Sequence, residues 1–233
     1  MDYKEGQDLH MRIEDMAANY IKALQTVQHE GPYLLGGWSM GGVVAFEMAQ
    51  QLQAQGQRVT LLALFDCYPW GFRYKVYCFV QRIKLHLSNL LRLGPKEKLT
   101  YIRQKVRILK SRIWDTAYKS YISIGSPLPL LDIVMEANGQ ALRKYVPQVY
   151  PGRVTLFRAN EWTLGTYPDP QLGWGELAGG GVAVHEVPGD HMMVNEPHVR
   201  ILAEQLKACL DKAQEGSIGK GEHLGQLPLR RAG

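Results

Sequence analysis

The chain has 233 residues, 45% of them hydrophobic and 21% charged, which fits one ordinary globular domain with enough apolar material for a core. Three cysteines, Cys67, Cys78 and Cys209, without C-x-x-C spacing, suggest neither a disulfide framework nor a cysteine zinc site, and the expected compartment is a reducing cytoplasm. The net charge of +5 invites a nucleic-acid reading, but residues 72–119 hold 13 Lys or Arg against Glu97 and Asp115, and the remaining residues are net acidic. With no zinc-finger or RNA-recognition signature, nucleic-acid binding is set aside. No run approaches the roughly 18 apolar residues of a membrane span, and residues 1–10 lack an apolar signal-peptide core.

In chain order, apolar residues at Ile13, Met16, Ala17, Tyr20, Ile21 and Leu24 predict a helix over Ile13 to Val27. Tyr33-Leu34-Leu35-Gly36 reads as a short strand buried on both faces of a parallel sheet. From Val43 the period lengthens to that of a helix closing at Gly56, and Arg58 to Phe65 forms the next strand, completing a βαβ unit. Phe72 to Leu93 and Lys96 to Tyr121 read as long helices split at Gly94-Pro95, followed by a helical stretch over about Leu131 to Tyr145. Strands return at Arg153 to Arg158 and Val182 to Val187, and a last helix runs from about Glu196 to Lys212. The Gly-rich, aperiodic segment from Glu215 onward is expected to be disordered.

The sharpest chemical signal is Gly37-Trp38-Ser39-Met40-Gly41, a G-x-S-x-G element between a strand and a helix. Small residues at Gly37 and Gly41 let the backbone turn sharply there and push the Ser39 hydroxyl outward. The helix N-terminus then lies under the reacting centre, and the Met40 amide becomes an oxyanion donor. A serine hydroxyl needs a base, itself oriented by an acid. Asp66 follows directly on the second strand and His191 lies just beyond the strand ending at Val187, so the order is Ser, Asp, His. The competing assignments are Asp66 as a turn cap before Tyr68-Pro69, and Asp190 as the acid, badly placed for the Nδ1 of its neighbour. His185 falls inside a strand and His198 in the last helical region; without an H-E-x-x-H or comparable spacing, no metal or other cofactor is expected.

Gly31-Pro32-Tyr33-Leu34-Leu35-Gly36-Gly37-Trp38-Ser39-Met40-Gly41-Gly42, Leu62-Ala63-Leu64-Phe65-Asp66 and Val187-Pro188-Gly189-Asp190-His191 together resemble the type I thioesterase domains of nonribosomal peptide synthetases and polyketide synthases. The resemblance covers most of Ile13 to Ala213 and implies an α/β-hydrolase fold, a mostly parallel sheet with flanking helices. It implies one catalytic domain over residues 1–213, with a helical lid at about 70–145 and a tail over 214–233. The implied nucleophile, acid and base are Ser39, Asp66 and His191. The implied substrate rides on the 4′-phosphopantetheine of an acyl or peptidyl carrier protein, an acidic partner suited to the basic lid. Family members carry further N-terminal strands and a second oxyanion amide, so the chain is expected to be truncated at its start. A free-standing editing thioesterase, a general ester hydrolase and an inert carrier-binding fragment remain the alternatives. The aromatic residues Phe72, Tyr74, Tyr77, Phe79 and Trp114 are candidates for an acyl pocket or for ordinary helix packing.

Overall fold

A computed structural model describes residues 12–69, 130–161 and 169–218, with scattered positions between 83 and 110. Its elements are α1 (Ile13–Val27), β1 (Tyr33–Trp38), α2 (Met40–Ala54), β2 (Val59–Phe65), α3 (Leu130–Lys144), β3 (Val154–Ala159), β4 (Val182–Val187) and α4 (Val199–Ile218). The four strands pair in parallel in the order β1-β2-β3-β4. Parallel neighbours need long crossovers, so every strand points the same way and all four C-terminal ends meet at one rim. The result is a helix-flanked parallel sheet of the α/β-hydrolase type.

Side-chain alternation along the strands builds two cores. Leu62 and Leu64 of β2, with Val154 and Leu156 of β3, face α1 and α2, where they meet Ile13, Ala17, Val43, Phe46 and Leu52. Leu61 and Ala63, with Phe157 and Ala159, face the opposite way onto Val187, Met193 and Leu202. Inner strand β3 is buried at every position but Arg158, and inner strand β2 is buried along Leu61 to Leu64. Strand β1 differs from its expected burial on both faces: Tyr33 and Leu35 are buried, but Gly36 and Trp38 are exposed, and among the described residues β1 pairs only with β2.

The helix boundaries also depart from expectation. Helix α2 starts at Met40, directly after Ser39 and three residues ahead of the first apolar-periodic position, because the glycines at its N-terminus carry no hydrophobic signal. Helix α4 starts at Val199 and continues to Ile218, beyond the expected end at Lys212. Ala213, Gln214 and Glu215 are good helix formers, and Lys207 pairs with Asp211 at 2.8 Å one turn before them. The first two helices expected in a lid and the aromatic candidates at 72, 74, 77, 79 and 114 lie largely or wholly outside the described residues, as do residues 219–233 and residues 1–11. Among the described residues no helix is long and apolar enough to cross a membrane.

Beyond α3 the chain is anchored onto α2 by Tyr145. Its hydroxyl donates to Glu47 Oε2 at 2.7 Å and accepts from Gln50 Nε2 at 3.1 Å. Burial and the Glu47 carboxylate push the phenol far above its usual range, so the donor stays protonated. Removing the hydroxyl leaves the interior edge of that network short of a partner. Tyr145→Phe is therefore expected to lower stability by about 1–3 kcal/mol, read as a lower urea midpoint at unchanged slope.

Candidate active site

The turn from β1 into α2 is built by close backbone approach. A Cβ on Gly37 would lie 2.1 Å from the Gly41 carbonyl oxygen, so only glycine lets the strand end fold against the helix start. Ser39 itself stands at φ 53° and ψ −123°, a region that L-residues enter only under constraint. The constraint is visible in two hydrogen bonds: Ser39 N–H donates to the Phe65 carbonyl at 3.0 Å, and the Ser39 carbonyl accepts from Gly42 N–H at 3.1 Å. Met40 opens α2, where the first amides have no partner within the helix and the dipole favours negative charge. The second crowded glycine is Gly42, not the expected Gly41. A Cβ at Gly42 would meet Cys67 Sγ at 2.7 Å, whereas at Gly41 it would meet nothing within 4 Å.

Asp66 closes β2 one strand away, at φ 41°, with its side chain buried at 7% exposure. Its amide donates to the Phe157 carbonyl at 2.8 Å, and its Oδ1 accepts from Ala159 N–H at 3.2 Å. The other carboxylate oxygen, Oδ2, lies 2.7 Å from His191 Nδ1. A carboxylate can only accept, so the ring hydrogen sits on Nδ1 and Nε2 is left as the basic nitrogen. His191 is half-exposed on the loop after β4, and its ring stacks on Trp38 with centroids 5.0 Å apart and planes 27° apart. Trp38 Nε1–H donates to the His191 carbonyl at 3.0 Å. Among the described residues no hydrogen bond joins the Ser39 hydroxyl to the imidazole; in unliganded sites that contact commonly tightens only when substrate arrives.

The rival residues are occupied otherwise. Asp190 Oδ1 accepts from Met192 N–H at 2.8 Å, capping its own loop. His185 stacks on Phe157 at 5.1 Å and lies 3.6 Å from Cys209 Sγ, on the α4 side of the sheet. The ring of His198 fills the space beside Gly189, where a Cβ would approach it to 2.7 Å. Among the described residues no group of His, Cys, Asp and Glu is arranged to hold a metal ion.

Two supporting residues escaped the sequence reading. Cys67 is fully buried behind Asp66, and Trp174 Nε1–H donates to its carbonyl at 2.7 Å. Burial, with the Asp66 carboxylate adding to it, pushes the Cys67 thiol up, so it stays protonated and does not compete as a nucleophile. The one sequence hint for Trp174 is its place in a Gly- and Trp-containing loop far from the motifs.

A thioesterase-domain family model matches residues 2–76, which include Ser39 and Asp66. The chain is 28% identical to the NocB thioesterase domain solved as a covalent complex with a fluorophosphonate nocardicin G analog; the match covers 88% of this chain and 78% of that one, with a TM-score of 0.56. The chain is thus similar to thioesterase domains of nonribosomal peptide and polyketide synthases. A dimodular nonribosomal peptide synthase of Bacillus subtilis (strain 168) is 54% identical over 68 residues, covering 29% of the chain and 3% of that protein. Microperfuranone synthase of Emericella nidulans is 26% identical over 227 residues, covering 89% of the chain and 24% of that protein. The chain spans at most about a quarter of the length of either synthase.

The crowding around the elbow separates its two helical glycines. Gly42→Ala is expected to cost about 1–3 kcal/mol through overpacking against Cys67. Gly41→Ala, in open space within a helix, is expected to leave stability unchanged or raise it by up to about 1 kcal/mol. Urea unfolding of the two variants side by side checks the contrast.

Proposed function

We propose that the chain is a serine thioesterase that releases an acyl or peptidyl group from a phosphopantetheinyl carrier protein through an acyl-enzyme on Ser39. The observation that carries the reading is the 2.7 Å contact of buried Asp66 with His191 Nδ1, at the same sheet rim where the start of α2 presents Ser39. Similarity to a thioesterase domain that reacts covalently with a fluorophosphonate supports the choice of nucleophile chemistry.

In this mechanism His191 Nε2 takes the Ser39 proton as Oγ attacks the thioester carbonyl. The Met40 amide and the α2 N-terminus receive the negative charge of the tetrahedral intermediate. Collapse breaks the carbon–sulfur bond, and the imidazolium returns its proton to the departing thiol. Asp66 holds the ring in the tautomer that makes both transfers possible. Water, or an amine or hydroxyl of the acyl chain itself, then attacks the acyl-enzyme with His191 again as base, releasing an acid or a macrocycle. The carrier supplies the phosphopantetheine arm, and the protein needs no cofactor of its own.

Docking of an acidic carrier on the basic segment is the second part of the proposal. Residues 72–119 carry a net charge of +11, and the described side chains of Arg103, Arg107 and Lys110 are exposed. A field of that sign raises the encounter rate with an acidic partner and weakens as salt is added.

Three experiments test these statements. A fluorophosphonate probe is expected to label the wild type at one site, with labelling abolished in Ser39→Ala. Asp66→Asn, which leaves the shape but supplies the wrong hydrogen-bonding partner, is expected to slow turnover of an acyl N-acetylcysteamine thioester by about 10³–10⁴-fold. Undiminished labelling of Ser39→Ala removes the mechanism. For docking, Arg103→Glu with Arg107→Glu is expected to reduce turnover of an acyl-carrier thioester about tenfold at low salt and to spare the small thioester. Equal loss on both substrates rejects steering.

A further inference from the structure

Asp66 touches His191 at one atom, and one hydrogen bond does not define the orientation of a ring. The imidazole can still swing about the axis through Nδ1, and its parent loop is an irregular segment between β4 and α4 with the ring half-exposed. A base that must present Nε2 to Ser39 needs a further restraint on its plane and one on its backbone. Trp38 offers both. Its indole face lies 5.0 Å from the imidazole centroid at 27°, and its Nε1–H donates at 3.0 Å to the carbonyl of the same histidine. The two residues are 153 positions apart, and Trp38 is 37% exposed, so general burial does not explain why an indole is held there. Trp38 is also the residue before Ser39, at the end of β1. Nucleophile and base are thereby referred to one backbone frame.

We propose that Trp38 is the positioning residue that holds the His191 imidazole in its working plane against Ser39. The inference rests on the reading of Ser39 and His191 given above. It assigns Trp38 no contact with the reacting atoms; Trp38 acts through His191.

The test uses the whole chain with Trp38→Phe, which keeps an aromatic face and loses the N–H, and Trp38→Leu, which loses both. Each is made in the wild-type and the His191→Ala backgrounds. With an acyl N-acetylcysteamine thioester, Trp38→Leu is expected to lower kcat by about ten- to a hundredfold at nearly constant KM, with Trp38→Phe intermediate. The rate of fluorophosphonate labelling is expected to fall in parallel. In the His191→Ala background the same substitutions are expected to change the labelling rate less than twofold, because the group through which Trp38 acts is gone. Thermal midpoints, measured on every variant, are expected to stay within a few degrees. The His191 Nδ1–H resonance, assigned by its loss in His191→Ala, is expected to broaden or shift in Trp38→Leu. The proposal is overturned by a kcat within twofold of wild type in Trp38→Leu, by a rise confined to KM, or by a loss that persists undiminished without His191. The resonance separates the two levels of the argument: a protein that never labels, yet whose His191 signal depends on Trp38, overturns the nucleophile and keeps the positioning role, whereas an unmoved signal overturns the positioning role itself.

Discussion

The site depends on a backbone conformation that the chain does not adopt freely. Ser39 sits at φ 53°, at a cost of about 1–3 kcal/mol for a residue with a Cβ, and it stays there because its surroundings leave no alternative. Its amide is bonded to the end of β2, its carbonyl to the second turn-forming glycine, and Gly37 and Gly42 admit no side chain at their contacts. The hydroxyl projects from the rim because the peptide units on either side are already committed. Relaxing any of these contacts lets the strand-to-helix turn open and takes Ser39 off the helix axis whose dipole faces it.

The same strategy recurs one strand along. Asp66 is also a non-glycine residue at positive φ, and it too is over-determined: by its amide bond to β3, by Ala159 N–H on its carboxylate, and by Trp174 on the next carbonyl. Parallel pairing makes this possible. Because β1, β2 and β3 all end at one rim, the residue that follows a strand can bond to the neighbouring strand near that rim, as Ser39 N–H does to the Phe65 carbonyl and Asp66 N–H does to the Phe157 carbonyl. An antiparallel sheet would alternate strand ends with turns and could not set two such residues side by side. His191, by contrast, comes from a loop, and its restraint is contributed by side chains of the two outer contacts, Asp66 and Trp38.

How much of this was legible follows from the range of each interaction. Helix α1 was readable to the residue from its apolar stripe, and β4 from its bounds between Gly181 and Pro188, because both are local patterns. Ser39, Asp66 and His191 were readable as candidates because each stands directly after a strand or in a tight turn next to one. The start of α2 was not, since Met40 to Gly42 shows no hydrophobic period, and neither was the exposure of β1, which depends on which strand lies beside it. Gly41 was preferred to Gly42 because the motif is defined on sequence spacing. The contact that makes Gly42 obligatory comes from Cys67, 25 residues later, and nothing near either residue announces it. Trp38 and Trp174 act over 153 and 107 residues, and their indole N–H groups meet backbone carbonyls, which every residue possesses. Such bonds leave no complementary residue type to search for.

The chemistry proposed for the site makes these demands unequal. A thiolate is a better leaving group than the alkoxide of Ser39, so the second half of the acylation step asks less of the imidazole. The first half asks much more, because an alcohol must lose its proton to a base of far lower affinity while charge builds on the carbonyl oxygen. What the fold must supply is therefore a fixed hydroxyl, a fixed amide facing the oxyanion, and an imidazole in the right plane at the moment of attack. The buried, doubly bonded Asp66 and the strained Ser39 are the rigid members of that set. The half-exposed ring of His191 is its loosest member, and the residues that limit its motion are where small structural changes convert most directly into rate.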